Sequence, residues 1–260
     1  MNNLFSYIIT HRGFNTEREY NLKCIIKLIK KLQATHNIEI IVVEQDIKKQ
    51  VDLDPDVNHV LAYNPGDFSR AWGLNVGSKI AKGNVLIFGD GDVFLTPDKF
   101  SKFLNKFNKE YLEYDVISPY KNRVRNIDKN DSIYFRDNLK LNKEYEGASG
   151  SGSSLMGGLC AIWKKSYNKS AGWDENFIGW GGEDNAYRDH LKASGFKLLS
   201  DDFTAYHLYH DTEQQKSTGY IHRKGQNQEY YFSVYRFKSK QHIEKNRAEN
   251  NDIGNPNKYK

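Results

Sequence analysis

Short apolar runs alternate with stretches of helical spacing through residues 1–95, and that alternation narrows the possible folds more than any other feature of the chain. LFSYIIT (Leu4–Thr10) has the length of a strand and ends at the polar, basic HRGFNTER. From about Thr16, the residues Leu22, Ile25, Ile26, Ile29 and Leu32 recur at helical spacing with lysines on the opposite face. IEIIVVEQD is a second strand, rich in β-branched residues, and it stops at Asp46. VNHVLAY reads as a third strand, FSRAWGLNVGSKIAKG as a helix closed by Gly83, and NVLIFGDGDVFL as a further strand with acids at its carboxyl end. Strands separated by helices predict an α/β fold with a largely parallel central sheet covered on both faces.

The second half is less regular. Asn122 to Asn142 is charged and does not resolve into elements, and GASGSGSS (Gly147–Ser154) has the composition of a mobile loop that could act as a lid. LMGGLCAIWKK resumes as a buried strand, a helix runs from about Glu183 to Ser194, and FKLLS and TAYHLYH read as short strands. The chain of 260 residues is long enough for a full-sized core and is expected to form one domain. Its expected divisions are residues 1–95, residues 96–210 and a polar carboxyl-terminal extension (211–260). No internal repeat is visible.

Composition limits the partners. The mean hydropathy of −0.77 is low, yet 17 Tyr and 14 Phe supply the amphipathic surfaces that line polar pockets such as those for sugars. A net charge of +5, read as spread along the chain rather than gathered in arms, gives nucleic acid no preference over an anionic small molecule or an acidic membrane surface. Cys24 and Cys160 are far apart in a thiol-poor chain, with neither a signal-peptide core nor an apolar run of membrane-spanning length. The expectation is a cytoplasmic protein with free thiols, at most peripheral at the inner face of the membrane.

Three groups of residues carry chemistry. Asp90-Gly91-Asp92 follows a buried strand, at the edge where open α/β sheets bind ligands, and the two carboxylates are expected to point to one side. Carboxylates so placed repel one another unless a hard cation such as Mn²⁺ or Mg²⁺ lies between or beside them; the alternative is a surface turn. His207 and His210 could give imidazole nitrogens to the same ion, or be surface histidines. Glu183 and Asp184 stand at the start of a helix, where the dipole alone favours acids. The dipole does not account for the preceding GWGG, in which the glycines permit close backbone approach and Trp180 offers an apolar face for a pyranose ring. A carboxylate held there can take a proton from an attacking hydroxyl.

GWGGED, the Asp-Gly-Asp after a buried strand, FSRAWGLNVG, GGLCAI and the late His-x-x-His stand in the same order as matching segments of the β-1,4-galactosyltransferases. WGGED with AYH also resembles the transferase modules of bacterial chondroitin polymerases. Over roughly Tyr7 to His210 the resemblance implies an inverting, metal-dependent glycosyltransferase of the GT-A fold. It puts Asp92, His207 and His210 on the metal and Asp90 beside the nucleotide or its metal-bound phosphates. It makes Asp184 the catalytic base, Glu183 the acceptor-binding acid, and Trp180 a contact to both donor and acceptor. Arg12, Phe68 and Arg70 fall on segments that hold the nucleotide, Asp46 is placed to meet uridine, and Gly158 lies against the donor sugar. Leu155 stands where the galactosyltransferases carry a Tyr that crowds the sugar 2-substituent. The galactosyltransferases have Met where His207 stands, and the expectation is an enzyme without the membrane anchor and disulfide cysteines of the animal enzymes.

The implied reaction moves a hexose or N-acetylhexosamine, GalNAc first and then GlcNAc or Gal, from a UDP-sugar to the hydroxyl of a saccharide or lipid-linked saccharide. The expected setting is synthesis of a bacterial surface polysaccharide or glycan. Two other readings remain: a nucleotidyltransferase, for which THRGFNTER is poor in glycine, and a carbohydrate- or nucleotide-sugar-binding protein of the same fold without turnover.

Overall fold

In a computed structural model of the chain, the described residues are 3–13, 16–121, 124–145, 157–179, 181–211, 223–247 and 252–260. Leu155, Trp180 and the Gly-Ser stretch 147–154 lie outside them.

The alternating first half forms as expected. Strands β1 (Leu4–His11), β2 (Asn37–Asp46), β3 (Asn58–Tyr63) and β4 (Val85–Gly89) are separated by α1 (Thr16–Leu32) between the first two and α2 (Arg70–Ile80) between the last two. β1 pairs in parallel with β2 on one side and β4 on the other, and β2 pairs in parallel with β3. Successive β1 side chains leave opposite faces of the sheet. Phe5, Tyr7 and Ile9 join the core under α1 and α3 (Pro97–Lys106), whereas Ile8 joins Trp72 and Leu74 of α2 in the core on the other face. Two-sided burial explains the near-continuous apolar run.

The seven-stranded sheet has the order β3-β2-β1-β4-β8-β6-β9, with β6 (Val116–Ser118), β8 (Leu159–Trp163) and β9 (Leu198–Ser200) completing it. β8 runs antiparallel to both its neighbours, so the sheet is largely parallel with one reversed strand. The chain passes outward from β1 to β3 and then returns to β4 on the other flank. This puts a topological switch point between β1 and β4, the place where open sheets form a ligand crevice beyond their carboxyl ends.

Several boundaries depart from the expectations. NVLIFGDGDVFL is not one strand: it breaks after Gly89, and Val93–Phe94 forms β5 of a separate three-stranded sheet ordered β5-β10-β7. The charged segment that did not resolve holds β7 (Val124–Asn126) and α4 (Lys129–Asn138), and β10 is Ala205–His207. α2 ends at Ile80, three residues before Gly83, whose absent side chain instead admits Ser6 and the Leu4 carbonyl. The polar extension contains α7 (Lys224–Val234) and α8 (Lys240–Asn246), after α5 (Lys164–Lys169) and α6 (Glu183–Ala193). Tyr231, Val234, Tyr235 and Ile243 bury a small third core against Phe177 and Ala186. Their wide spacing among polar residues hid it from periodicity.

The chain end also binds back. Glu175, buried, accepts from the Gly254 amide at 2.7 Å, the Asn75 amide group at 2.8 Å and the Lys258 ammonium at 2.8 Å. The Tyr63 amide donates to the Pro256 carbonyl at 3.2 Å. Residues 252–260 are thereby fastened to α2 and to the edge strand β3.

Close packing of α2 on β1 depends on the absence of a side chain at Gly77, where a Cβ would stand 2.4 Å from an Ile8 methyl carbon. Gly77→Ala raises helix propensity by about 1 kcal/mol but forces an overpacked contact worth about 1–3 kcal/mol. The net expectation is a loss of up to about 2 kcal/mol, read as a lower urea midpoint at unchanged m-value; a higher midpoint would contradict this account of the contact.

Candidate active site

Sheet pairing assembles one cluster. β5 and β10 pair antiparallel with His207 opposite Val93, and the Leu208 amide donates to the Asp92 carbonyl at 2.8 Å. The pairing carries two histidines from late in the chain to an acid more than a hundred residues earlier. His207 Nε2 lies 3.6 Å from one Asp92 oxygen and His210 Nε2 lies 3.4 Å from the other. One ligand atom from each of the three residues lies within 4.8 Å of the others. A carboxylate with two imidazoles is a mixed oxygen and nitrogen donor set, which a borderline divalent cation such as Mn²⁺ accepts, so the residues fit the group.

Asp92 is 5 % exposed. Burial alone would push its carboxyl up, but the charges of His207, Arg18 and His210 outweigh burial and hold it below the ordinary carboxylate range. Arg18 contributes directly, 3.7 Å from Asp92 and 3.3 Å from His210 Nε2. Sequence reasoning passed over Arg18, although the signal was present: a cation in the first turn of α1 opposes the helix dipole and needs a local anion to justify it. His11, at the end of β1, was also missed. It is buried, and that burial pushes its imidazole down to about 4.

Asp90 does not share the cluster. The two acids of the motif flank a turn and diverge, which corrects the expectation that both face one side. Asp90 accepts from Arg70 Nε at 2.8 Å, and its amide donates to the Gly158 carbonyl at 2.8 Å. Gly158 has φ +76, and a Cβ there would meet the Tyr120 hydroxyl and Val93 at 3.1–3.3 Å. Tyr120 also donates to the Gly157 carbonyl, which holds the start of β8 against Asp90.

Arg70 links the turn to the acid helix. Its guanidinium lies 5.2 Å from the ring centre of Trp173 and 4.0 Å from Glu183. The terminal nitrogens Nη1 and Nη2 of Arg70, and Oε2 of Glu183, are buried without a hydrogen-bond partner among the described residues. Buried polar groups left unsatisfied in this way call for a partner such as a polar ligand or water. Glu183 and Asp184 open α6 behind Gly181 and Gly182, both at positive φ near +95, a conformation that only glycine adopts without strain. Burial, and then the Asp184 charge, push the Glu183 carboxyl up to about 7. Asp184 is half-buried and accepts the Asn185 amide at 2.7 Å.

The remaining expected residues sit at the carboxyl ends of β1 and β2 or just before α2. Arg12 is spent on backbone, donating to the carbonyls of Gln45 at 2.7 Å, Gly66 at 2.7 Å and Asn64 at 3.2 Å. It therefore ties β2 to the loop after β3. Asp46 closes β2 and accepts the Ile47 amide at 2.7 Å. Phe68 is half-buried, and its carbonyl accepts the Gly179 amide at 2.7 Å.

A switch-point crevice with acids at the end of its central strand, facing an acid pair on a helix, is the arrangement of the GT-A glycosyltransferases, and solved structures share the fold. Two crystal structures of Drosophila β-1,4-galactosyltransferase 7 match: a mutant in complex with manganese, UDP-Gal and xylobiose (TM-score 0.54, 13% identity, 82% of this chain and 74% of that one), and the catalytic domain with xylobiose (TM-score 0.52, 14% identity, 82% and 73%). The family described as glycosyltransferase like family 2 matches residues 8–144, and the one described as the N-terminal domain of galactosyltransferase matches residues 139–211. The chain belongs to the glycosyltransferase-like family 2. Human chondroitin sulfate N-acetylgalactosaminyltransferase 1 is 28% identical over 155 residues, which are 56% of this chain and 28% of that protein. This chain thus spans well under half the length of that relative.

The position of Glu183 has a measurable cost. Its folded-state pKa is raised from the ordinary 4.5 to about 7, so its stabilising contribution is complete below about 4.5 and is lost as pH rises through about 7. Glu183→Gln is expected to flatten that loss and to stabilise the ligand-free enzyme by about 1–3 kcal/mol at pH 8. Thermal or urea unfolding at pH 5 and pH 8 checks this, and a variant no more stable than wild type at pH 8 would contradict it.

Proposed function

We infer that this enzyme moves an N-acetylhexosamine or hexose from a UDP-sugar to a saccharide hydroxyl with inversion, and that metal is required. The observation that carries the reading is the convergence of Asp92, His207 and His210 at the end of the sheet beside Asp90, Arg70 and the Glu183-Asp184 pair. In this reading residues 1–95 hold the nucleotide, residues 96–210 hold the donor sugar and acceptor, and the tail braces α2. Asp46, Phe68 and the loop secured by Arg12 form the uridine end. Asp92, His207 and His210 would hold one Mn²⁺, or Mg²⁺ in its place, which when bound supplies positive charge to the departing diphosphate.

Asp184 takes the proton from the acceptor hydroxyl as its oxygen attacks the anomeric carbon, and the bond from that carbon to the diphosphate oxygen breaks on the opposite face. Glu183 holds a neighbouring acceptor hydroxyl, and its partly protonated carboxyl can donate as well as accept. Arg70, between Asp90 and Glu183, keeps the donor side and the acceptor side in one register. Trp180 covers the sugar ring, and Gly158 leaves room for it. The named relatives support this reading: one solved neighbour is a complex with manganese, UDP-Gal and xylobiose, and the human protein is named for GalNAc transfer. A bacterial setting, with a surface polysaccharide or glycan as product and the inner face of the membrane as the place of work, completes the proposal.

UDP release from a panel of UDP-sugars, with and without Mn²⁺, tests it. Asp92→Ala and excess chelator are each expected to abolish transfer, the chelator reversibly, and full turnover in chelator would overturn metal dependence. Asp184→Asn should lower turnover about 10²–10⁴-fold while donor binding persists, whereas loss of folding in that variant would return the residue to a helix-capping role.

For the donor, Leu155 in place of a crowding Tyr leads to UDP-GalNAc, or else UDP-GlcNAc, being used at least as well as UDP-Gal. Leu155→Tyr is expected to shift preference toward UDP-Gal by roughly 1–3 kcal/mol, read from kcat/KM for the three donors. A wild-type enzyme confined to UDP-Gal or UDP-Glc would sink the assignment.

A further inference from the structure

The turn joining α7 to α8 holds the most exposed large apolar side chain among the described residues. Phe237 is 91 % exposed, and Phe232, two residues before the end of α7, is 40 % exposed. Phe237 also has φ 58, a left-handed conformation that is unfavourable for a bulky residue and ordinary for Gly or Asn. A chain that places a phenyl ring in water, and on a strained backbone, at the tip of a turn is not using it for the core. The ring has cationic company. The Arg236 guanidinium lies 4.9 Å from the Phe232 ring centre and 5.0 Å from that of Phe237, and Lys238 and Lys240 follow directly. Tyr235 to Ile243 contains no acid.

Charge bookkeeping across the chain reinforces the point. Residues 223–247 carry seven Lys and Arg against two Glu, a net of +5 equal to that of the whole chain, so the remainder is balanced. This corrects the expectation that the excess is spread evenly. The patch also adjoins α6, the helix that opens with the acid pair. A cleft lined by Asn185, Arg188, Lys192, Tyr231, Phe237 and Lys238 runs from the residue after Asp184 to the exposed phenyl ring. Asp189, the acid on its wall, already accepts from Arg188 at 2.9 Å and the Tyr231 hydroxyl at 2.7 Å, so the cleft's free charge is positive.

We propose that the turn between α7 and α8 docks on an anionic phospholipid bilayer, with Phe237 inserted at the headgroup boundary and Arg236, Lys238 and Lys240 against the lipid phosphates. Docked in this way, the cleft offers a path from the bilayer to Asp184 for an acceptor held by a lipid. An aromatic tip with a basic rim and no neighbouring acid suits such a surface: the ring leaves water, and each cation near the surface contributes attraction. This rests on the reading that the acceptor reacts beside Glu183 and Asp184, and it deepens that reading by naming where the acceptor is presented.

Co-sedimentation of the full chain with phosphatidylcholine vesicles, with and without phosphatidylglycerol, tests the docking apart from catalysis. Wild type is expected to bind the vesicles that contain phosphatidylglycerol, and to release as salt is raised. Phe237→Asn suits the left-handed backbone and should fold at least as stably as wild type, yet bind about 10-fold more weakly. Arg236→Gln with Lys238→Gln should lose about 5-fold per cation removed. UDP release with a soluble saccharide acceptor should be unchanged in Phe237→Asn, so failure of docking and failure of the proposed transfer are read separately. Equal binding to both vesicle types, or Phe237→Asn binding like wild type, would overturn the proposal. So would a wild-type dimer that Phe237→Asn dissociates, because the patch would then belong to a second copy of the chain.

Discussion

A buried carboxylate must be neutralised where it stands, and Asp92 sets that requirement at the centre of this molecule. It is 5 % exposed at the end of β4's exit turn, and its partners are the Arg18 guanidinium on α1 and the imidazoles of His207 and His210 near the end of the sheet domain. Three distant parts of the chain therefore meet at one oxygen pair. The β5–β10 ladder makes the meeting geometric, since the register that puts His207 opposite Val93 leaves little freedom in where the imidazoles point. The same need for positive charge makes the cluster suited to a divalent cation, which neutralises the acid more completely than Arg18 at 3.7 Å.

The second organising contact is Arg70, placed between Asp90 and Glu183 over the face of Trp173. Its position is held from behind. Ser69 caps α2 and donates to the Phe177 carbonyl, and Asn75 of the same helix donates to the Trp173 carbonyl and to Glu175. Glu175 in turn accepts the Gly254 amide. The carboxyl-terminal residues thus reach the site through a chain of buried hydrogen bonds, although none of them touches it. Glu183 pays the energetic penalty of this arrangement. Its carboxyl is buried next to a second acid, and both burial and that charge disfavour its ionised form in the empty protein.

Much of the candidate site was legible in the sequence because its parts are local. An apolar run closed by Asp-Gly-Asp, a glycine pair before two acids, and His-x-x-His each hold their meaning within a few residues, and the structure brings the described ones to one side of the sheet. What was misread is instructive. Asp90 and Asp92 were expected to cooperate, yet a turn one residue long sends one to Arg70 and the other to the histidines. Arg12 was expected on a segment that holds the nucleotide, and its guanidinium is used by three backbone carbonyls of that region. A guanidinium gives no sign in sequence of whether its donors will be used by backbone or by ligand.

By itself the sequence determined the α/β alternation, the two-faced burial of β1 and β2, the free thiols and the identity of the residues able to do chemistry. These follow from side-chain periodicity and residue type, which are properties of short windows. Only the tertiary structure decided that β8 runs against its neighbours, that the chain end braces α2, that Arg18 joins the Asp92 cluster, that His11 is buried at the end of β1, and that the polar extension folds into helices with an exposed Phe237. The physical reason is the same in each case. Pairing direction, charge compensation and the exposure of a single ring are settled by contacts between residues tens to hundreds of positions apart, and no local pattern records them.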